Sequence, residues 1–242
     1  MSFYSDHNGV FIQGMDDAND LRAFIQKRFP EDEIQAGYIR LLEETKALAR
    51  AEKIPLLKAF WKVLDRAYRE KAPPPACDKG CAHCCYTGVM ITQLEWDDIV
   101  KSAREKNIDL NQIIARGQKS VDRVDKALKS GVDPETIDWH QMVINQPCPF
   151  LDDDQTCSIH EDRPLDCRLM LAFRSACESK NLEHAQRGGT VEEAVAPAVI
   201  ARLQYEQTPK IRRRKFDGTQ KLRLLQHWLI LWKQKKPSKK KR

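Results

Sequence analysis

Seven of the eight cysteines in this 242-residue chain lie in two short segments, and no other feature constrains the fold as strongly. The first segment, residues 77–85, reads CDKGCAHCC and holds four cysteines within nine residues. The second, residues 148–167, reads CPFLDDDQTCSIHEDRPLDC and holds three. Isolated cysteines usually behave as small buried apolar residues, but a stretch of nine residues cannot bury four side chains separately. The pattern therefore indicates either disulfide bonds or a metal site.

These two alternatives require different cellular compartments. The N-terminus does not show a positively charged start followed by an apolar stretch, which is typical of a secretory signal. The longest strongly apolar run, residues 228–232, is far shorter than the roughly 20 residues that span a bilayer. We therefore expect a cytoplasmic protein without membrane association. Thiols stay reduced in that compartment, where grouped cysteines more often bind metal.

The cysteine count leaves the metal and the number of metals open. Thiolates bind both zinc and iron–sulfur clusters, and one tetrahedral zinc or one 4Fe–4S cluster uses four of them. Seven cysteines therefore suffice for two metals if a thiolate bridges or a histidine joins. His83 and His160 are candidate ligands because they lie inside the two segments. The side chains of adjacent Cys84 and Cys85 should diverge, so either two metals lie close together or one of the pair packs or bridges.

Hydrophobic periodicity predicts a mostly α-helical fold with an irregular cysteine-rich metal-binding core and a small β-hairpin. The hairpin is expected at residues 149–159, with the acidic run at 152–155 as its turn. The spacing C-x3-C-x2-C also occurs in radical S-adenosylmethionine enzymes, but the repeated strands of their barrel are missing here. Helices are predicted at 16–71, with breaks at Pro30 and Pro55, and at 93–105, after a capping box at Thr92–Glu95. Further helices are predicted at 110–130, through Trp139, from Pro164 to Phe173, at 190–205, and after Thr208 to Trp232.

The sequence predicts three parts. Residues 1–71 form an N-terminal helical segment, which ends at three consecutive prolines. Residues 72–206 form the cysteine-cluster metal-binding domain, with a helical insertion at 86–147. Residues 207–242 form a basic C-terminal helix followed by a disordered lysine-rich tail.

Charge is distributed unevenly along the chain. The net charge is +6, but residues 209–242 carry +13 and the preceding residues carry −7. Such a basic segment predicts an anionic partner, either nucleic acid or an acidic protein. The favoured alternative is that the segment packs on the acidic body through apolar residues at helical spacing. These are Leu222, Leu224, Leu225, Trp228, Leu229 and Trp232.

Together, the two cysteine segments resemble the YkgJ-type cysteine-cluster family, whose members are described as zinc- or iron-chelating proteins. The family pattern has a CxxxCxxCC element, then CPFL, then a cysteine followed by an Ile–aromatic pair, then RP and CR. His160 stands here in place of the aromatic residue. The resemblance implies the following metal ligands: Cys77, Cys81, Cys84, Cys85, Cys148, Cys157 and Cys167. A related cysteine pattern occurs in flagellin lysine methylases, which are thought to use an iron–sulfur centre.

Three functions are compatible with these observations. The first is a metal-binding protein, with zinc or iron organising the fold or being held for transfer. The second is an iron–sulfur enzyme for redox chemistry or methyl transfer, in which Arg163 and Arg168 either tune the cluster or bind an anionic substrate. The favoured alternative is that those arginines pair with Asp162, Asp166 or backbone carbonyls. The third is a zinc-stabilised nucleic-acid binder that uses the basic segment.

Overall fold

The computed structural model describes residues 4–5, 11–14, 29–72, 75, 80–133, 137–171, 186–207 and 222–235. It is mostly helical, as predicted. Its elements in chain order are β1 (Tyr4–Ser5), β2 (Phe11–Gly14), α1 (Glu31–Glu52), α2 (Leu56–Lys71), a 3-10 helix (His83–Tyr86), β3 (Met90–Ile91), α3 (Gln93–Glu105), α4 (Leu110–Arg116), α5 (Gln118–Lys129), α6 (Trp139–Val143), a second 3-10 helix (His160–Asp162), α7 (Leu165–Leu169), β4 (Gln186–Gly189), α8 (Val191–Gln207), β5 (Arg223–Leu224) and α9 (Leu225–Lys235).

Contacts divide the chain into two compact units. One comprises Met1–Asp78 with Leu169–Gln220, and the other Lys79–Arg168 with Lys221–Arg242. The division at residues 71 and 206 that the sequence predicts stays a prediction. Helix α8 belongs with the N-terminal helices, whereas β5 and α9 belong with the cysteine segments.

The first unit is built on three helices. Helix α1 packs against α2 and α8, which also contact each other. Pro30 and Pro55 immediately precede α1 and α2, so the predicted breaks are confirmed. Strands β1, β2 and β4 form an antiparallel sheet in that order. The most deeply buried apolar side chains of the helices include Leu41, Phe60, Leu64, Val199 and Leu203.

The second unit surrounds a core to which α3, α4, α5, β5 and α9 contribute. Ile99, Val124, Phe150 and Leu229 are completely buried in it. Helix α9 packs against α4 and α5. Strand β3 pairs antiparallel with β5, with Met90 opposite Leu224. The sequence did not predict this pairing, because two-residue strands show no alternation of polar and apolar residues.

The C-terminal helix is part of this core. The indole Nε1–H of Trp228 donates to the carbonyl of Ile91 at 3.1 Å, and its ring stacks on Trp96 at a centroid distance of 6.3 Å. The guanidinium of Arg223 lies 5.0 Å from the Trp228 ring centroid. The predicted packing is therefore confirmed for Leu224, Leu225, Trp228 and Leu229, which are buried, and wrong for Leu222, which is 44% exposed. Trp232 is partly buried against the same core.

The helix predicted over 110–130 is two helices, α4 and α5, which meet at Gly117. Pro149 packs directly on this residue, and a Cβ at Gly117 would lie only 2.5 Å from its Cγ. The chain therefore approaches the cysteine segment closely at the junction, a feature that helical periodicity cannot reveal.

Other predicted boundaries differ from those in the structure. The hairpin is a tight turn closed by one antiparallel bridge between Leu151 and Cys157. Helix α7 ends at Leu169, before the predicted Phe173. The predicted helical start at residue 16, the basic stretch at 208–221 and the lysine run lie outside the described residues. Within the described part of the chain, no helix combines the length and apolar character needed to cross a membrane.

Candidate metal centre

The described part of the first cysteine segment, residues 80–85, contains a turn at Gly80 and the start of a 3-10 helix. Gly80 has a φ of 90°, a left-handed conformation that glycine adopts readily, so the backbone can turn immediately before Cys81. The 3-10 helix then places Cys84 and Cys85 in consecutive positions, and the Cys85 amide donates to the carbonyl of Ala82 at 2.9 Å. The hydroxyl of Thr87 donates to the carbonyl of Cys84, also at 2.9 Å. These bonds fix the backbone that carries the adjacent cysteines.

The second segment is joined to the first through the backbone. The amide of Cys148 donates to the carbonyl of Cys85 at 2.7 Å, and the amide of Asn145 donates to the carbonyl of Tyr86 at 2.9 Å. These two hydrogen bonds place Cys148 beside the adjacent pair, although Cys148 lies 63 positions after Cys85 in the chain. The two predicted cysteine segments therefore meet in the fold.

The hairpin turn brings a further cysteine to the same place. Leu151 donates its amide to the carbonyl of Cys148 at 3.0 Å and forms the bridge with Cys157. The amide of Asp152 donates to the carbonyl of Thr156 at 2.8 Å and closes the acidic turn. The chain consequently returns on itself between Cys148 and Cys157.

Glu95 connects the last cysteine to helix α3. One carboxylate oxygen, Oε2, accepts the Thr92 amide at 2.7 Å and completes the predicted capping box, in which Thr92 Oγ1 accepts the Glu95 amide. The other oxygen, Oε1, accepts the amide of Leu165 at 2.7 Å. Leu165 is the first residue of α7, the helix that carries Cys167. Burial raises the pKa of Glu95 to about 7, because this residue is only 3% exposed.

Two other carboxylates support the same segment. Asp162 is buried and accepts hydrogen bonds from the hydroxyl of Ser102 and from Lys106 Nζ, the latter at 2.7 Å. Asp166 accepts the amide of Met90 at 2.9 Å. Helix α3 and strand β3 therefore hold the stretch from Cys157 to Cys167 at several points.

Five cysteines are free thiols, each partly buried: Cys84, Cys85, Cys148, Cys157 and Cys167. The pKa of Cys85 is raised by a hydrogen bond with Cys84 and then by burial. Burial raises the pKa of Cys148 to about 12, and it also raises those of Cys157 and Cys167. The charge of Cys84 contributes to the pKa of each of the other four. Because such interactions weaken with distance, this coupling indicates that the thiols lie near one another.

The other predicted ligands are not among these five thiols; they are Cys77, Cys81, His83 and His160. Cys81 is disulfide-bonded, so it offers no thiolate to a metal until it is reduced. Cys77 and the side chain of His83 lie outside the described residues. His160 is exposed, and its Nε2 lies 3.3 Å from Nη1 of Arg163. Among the described residues, no group of three or more histidine, cysteine, aspartate or glutamate side chains is already arranged to hold a metal ion. The thiols are gathered without forming a closed coordination shell.

The two arginines of this segment differ in their contacts. Arg168 is buried and donates to the backbone carbonyls of Glu161 and Arg163, the latter at 3.0 Å. This agrees with the prediction from the sequence that Arg168 pairs with backbone carbonyls. Arg163 instead contacts His160. Its positive charge lowers the pKa of the Cys157 thiol, whereas burial raises that pKa.

Sequence reasoning found the cysteines but missed the residues that hold them. Glu95 was recognised only as half of a local capping box, and Asp162 and Asp166 only as partners for the arginines. In the sequence, the available signal for these residues was an acidic side chain among apolar residues at helical spacing. Their partners are 56 to 76 residues away along the chain, so no local pattern identifies them.

The fold and the site define a mostly helical protein with a thiol-rich centre assembled from distant segments. Residues 76–188 match the CxxCxxCC family, described as a "Putative zinc- or iron-chelating domain". This stretch of the chain is therefore similar to a cysteine-cluster family of metal-chelating domains, as the two cysteine segments predicted. No curated protein and no solved structure matches the chain.

Proposed function

We propose that this protein binds zinc or iron through its clustered cysteines, and that the metal organises the fold or is held for transfer. The observation that carries this proposal is that the backbone joins Cys148 to Cys85, and that the five thiols around residues 84–85, 148–157 and 167 affect one another's pKa values. The family description of the matched residues supports the same conclusion. Cys77 and the reduced form of Cys81 complete the proposed ligand set, with His83 and His160 as further candidates.

The donor set suits these metals chemically. Thiolates bind zinc and iron strongly, and both metals accept sulfur-only coordination. Partial burial limits access of water to the sulfurs. The raised pKa values mean that the metal-free thiols are protonated at neutral pH. Metal binding must therefore displace protons, as it does in other thiolate sites.

The arrangement also supports a role in folding. The thiols do not yet form a closed shell in the described residues, so binding a metal would draw their segments together. Those segments are attached to α3 and β3 through Glu95, Asp162 and Asp166. We propose that metal-binding energy is transmitted through these contacts to the second unit as folding energy.

The first test is to purify the protein without oxygen and to measure zinc, iron and acid-labile sulfide per chain. Zinc without sulfide supports a structural or metal-handling protein. Iron with matching sulfide supports an iron–sulfur centre, and justifies assays of reduction and methyl transfer. Absence of both metals, also after incubation of the reduced protein with each, would overturn the proposal.

Cysteine variants test the ligand set. We expect Cys84→Ser and Cys157→Ser to lower the bound metal and to destabilise the fold, because each removes a thiol of the gathered group. Cys177→Ser is the matched control, since Cys177 lies outside both predicted segments. Full metal retention in the first two variants would refute the proposed ligands.

Finer aspects of the function belong to the same proposal. A reducing compartment such as the cytoplasm is part of the proposal, because only there would the disulfide-bonded Cys81 be reduced and join the five thiols as a ligand. Membership of the YkgJ-type group and an anionic partner for residues 209–242 remain predictions. A nucleic-acid interface could not use Trp228 for base stacking in this fold, because that ring is 2% exposed and packed on Trp96.

A further inference from the structure

The first unit contains a cavity of about 280 Å³, which is lined by residues of α1, α2 and the start of α8. Its volume is just below the range of about 300–1,000 Å³ that holds drug-sized ligands, so it suits a smaller molecule. The buried apolar side chains of Leu41 and Val63 form part of the lining. The lining also contains three basic and three acidic side chains, namely Arg40, Arg66, Lys71, Glu44, Glu70 and Glu192. The five free thiols belong to the other unit, so this cavity is not part of the candidate metal centre.

Glu192 holds two of the basic side chains in place. This residue is only 3% exposed, and its Oε1 accepts hydrogen bonds from Arg40 Nη2 at 2.8 Å and from Lys71 Nζ. Its other oxygen, Oε2, is buried and accepts no hydrogen bond from the described residues. Burial acts to raise the pKa of Glu192, but the contacts with Lys71 and Arg40 lower it below its ordinary value. Glu192 is therefore an ionised carboxylate that depends on these two cations.

Arg40 and Lys71 retain donors that Glu192 does not use. A guanidinium has five N–H donors and an ammonium group has three. Within the described part of the chain, each of these side chains forms a hydrogen bond only with Glu192. Their side chains are 47% and 31% exposed, so the remaining donors are accessible. Two cations paired with one carboxylate leave a net positive charge here, which suits the carboxylate of a ligand.

The other charged side chains of the lining carry a net negative charge. Arg66 of α2 pairs with Glu44 of α1, so these two charges balance. Glu70 is exposed and forms no salt bridge with any residue that the structure describes. It lies four positions after Arg66, on the same face of α2, and directly before Lys71. The cavity therefore offers an unpaired carboxylate in addition to the two cations.

We propose that this cavity binds a small zwitterion of the amino-acid type, with its carboxylate on Arg40 and Lys71 and its ammonium group on Glu70. The apolar side chains of Leu41 and Val63 then contact the carbon skeleton of the ligand. Equal numbers of basic and acidic side chains in the lining favour a ligand that carries one charge of each sign. This site is independent of the proposed metal-binding function.

The test is calorimetric titration of the full-length protein with each common amino acid except cysteine and histidine, whose side chains bind metals. Acetate and methylamine, which each carry one of the two charges, are titrated as controls. The variants Arg40→Gln and Glu70→Gln each remove one charge of the proposed site. Arg50→Gln and Glu33→Gln are matched controls, because both residues are exposed on α1 and do not line the cavity. Circular dichroism reports whether each variant folds.

We expect at least one amino acid to bind with a Kd below about 1 mM, and its affinity to fall as the salt concentration rises. Arg40→Gln and Glu70→Gln should each weaken this binding by about 10-fold, because each removes a charged hydrogen-bonding partner of the ligand. Acetate and methylamine should bind more weakly than the amino acid. Arg50→Gln and Glu33→Gln should bind it as the wild type does.

Three results would overturn the proposal. The first is that no amino acid binds at this level. The second is that acetate or methylamine binds as tightly as the best amino acid, because one charge would then suffice. The third is an unchanged affinity in Arg40→Gln and Glu70→Gln, which would place the ligand elsewhere on the protein. If Arg40→Gln does not fold, Glu70→Gln decides the question, since Glu70 is exposed and its replacement breaks no salt bridge of the described residues.

Discussion

Glu95 is the residue at which stability and the candidate metal centre are most directly connected. Its carboxylate accepts two buried backbone amides, from Thr92 at the start of α3 and from Leu165 at the start of α7, each at 2.7 Å. Replacing Glu95 by alanine leaves both amides without their acceptor. We therefore expect Glu95→Ala to destabilise the second unit and to release the helix that carries Cys167.

The magnitude follows from the two lost hydrogen bonds. A buried amide without an acceptor costs about 1–3 kcal/mol, so the pair corresponds to roughly 2–6 kcal/mol in the free energy of unfolding. Glutamine keeps one carbonyl oxygen and turns an NH2 group toward the other amide. Glu95→Gln should therefore cost about half as much as Glu95→Ala.

A pH series adds an independent check. Because the pKa of Glu95 is raised from 4.5 to about 7, the folded protein holds this proton more tightly than the unfolded chain. The stabilisation is fully present below about pH 4.5, and it is lost as the pH rises through 7. This rise in the pKa of Glu95 corresponds to about 3 kcal/mol in the free energy of unfolding. Neither variant can titrate at this position, so the stability difference between the wild type and Glu95→Gln should shrink from pH 5 to pH 8.

Urea denaturation followed by tryptophan fluorescence measures these effects, because Trp96 and Trp228 lie in the same core as α3. Glu193→Gln and Glu193→Ala are matched controls: Glu193 is equally buried and occupies the same position near the start of α8, in the other unit. Its carboxylate accepts the hydroxyl of Tyr68. The controls should destabilise the protein without weakening zinc binding. A decrease of less than about 1 kcal/mol in the free energy of unfolding for Glu95→Ala would refute the reasoning. Parallel curves of stability against pH for the wild type and Glu95→Gln would refute it as well.

Three further predictions concern the same unit. Gly117→Ala should lower stability by about 1–3 kcal/mol in urea denaturation, because its Cβ would clash with Pro149, and an unchanged free energy of unfolding would contradict this. Trp228→Phe should cost about 1–3 kcal/mol in the same assay by leaving the Ile91 carbonyl without its donor, and unchanged stability would exclude that role. Zinc affinity should rise with pH across the neutral range with measurable proton release by calorimetry, because binding displaces thiol protons; a pH-independent affinity would argue against thiolate ligation.

The sequence by itself determined the features that depend on near neighbours. Pro30 and Pro55 set the starts of α1 and α2, and the capping box at Thr92 set the start of α3, because proline geometry and caps act within one helical turn. The grouping of seven cysteines, and hence the class of chemistry, was equally visible in the spacing.

Only the tertiary structure decided which distant segments come together. It joined Cys148 to Cys85 through the backbone, and it assigned the second oxygen of Glu95 to Leu165, 70 residues away. It also placed α9 in the core beside the cysteine segments, although charge alone marked that helix as a basic tail. Local periodicity specifies which face of a helix is apolar but not which partner covers it, because that choice depends on the packing of the whole chain.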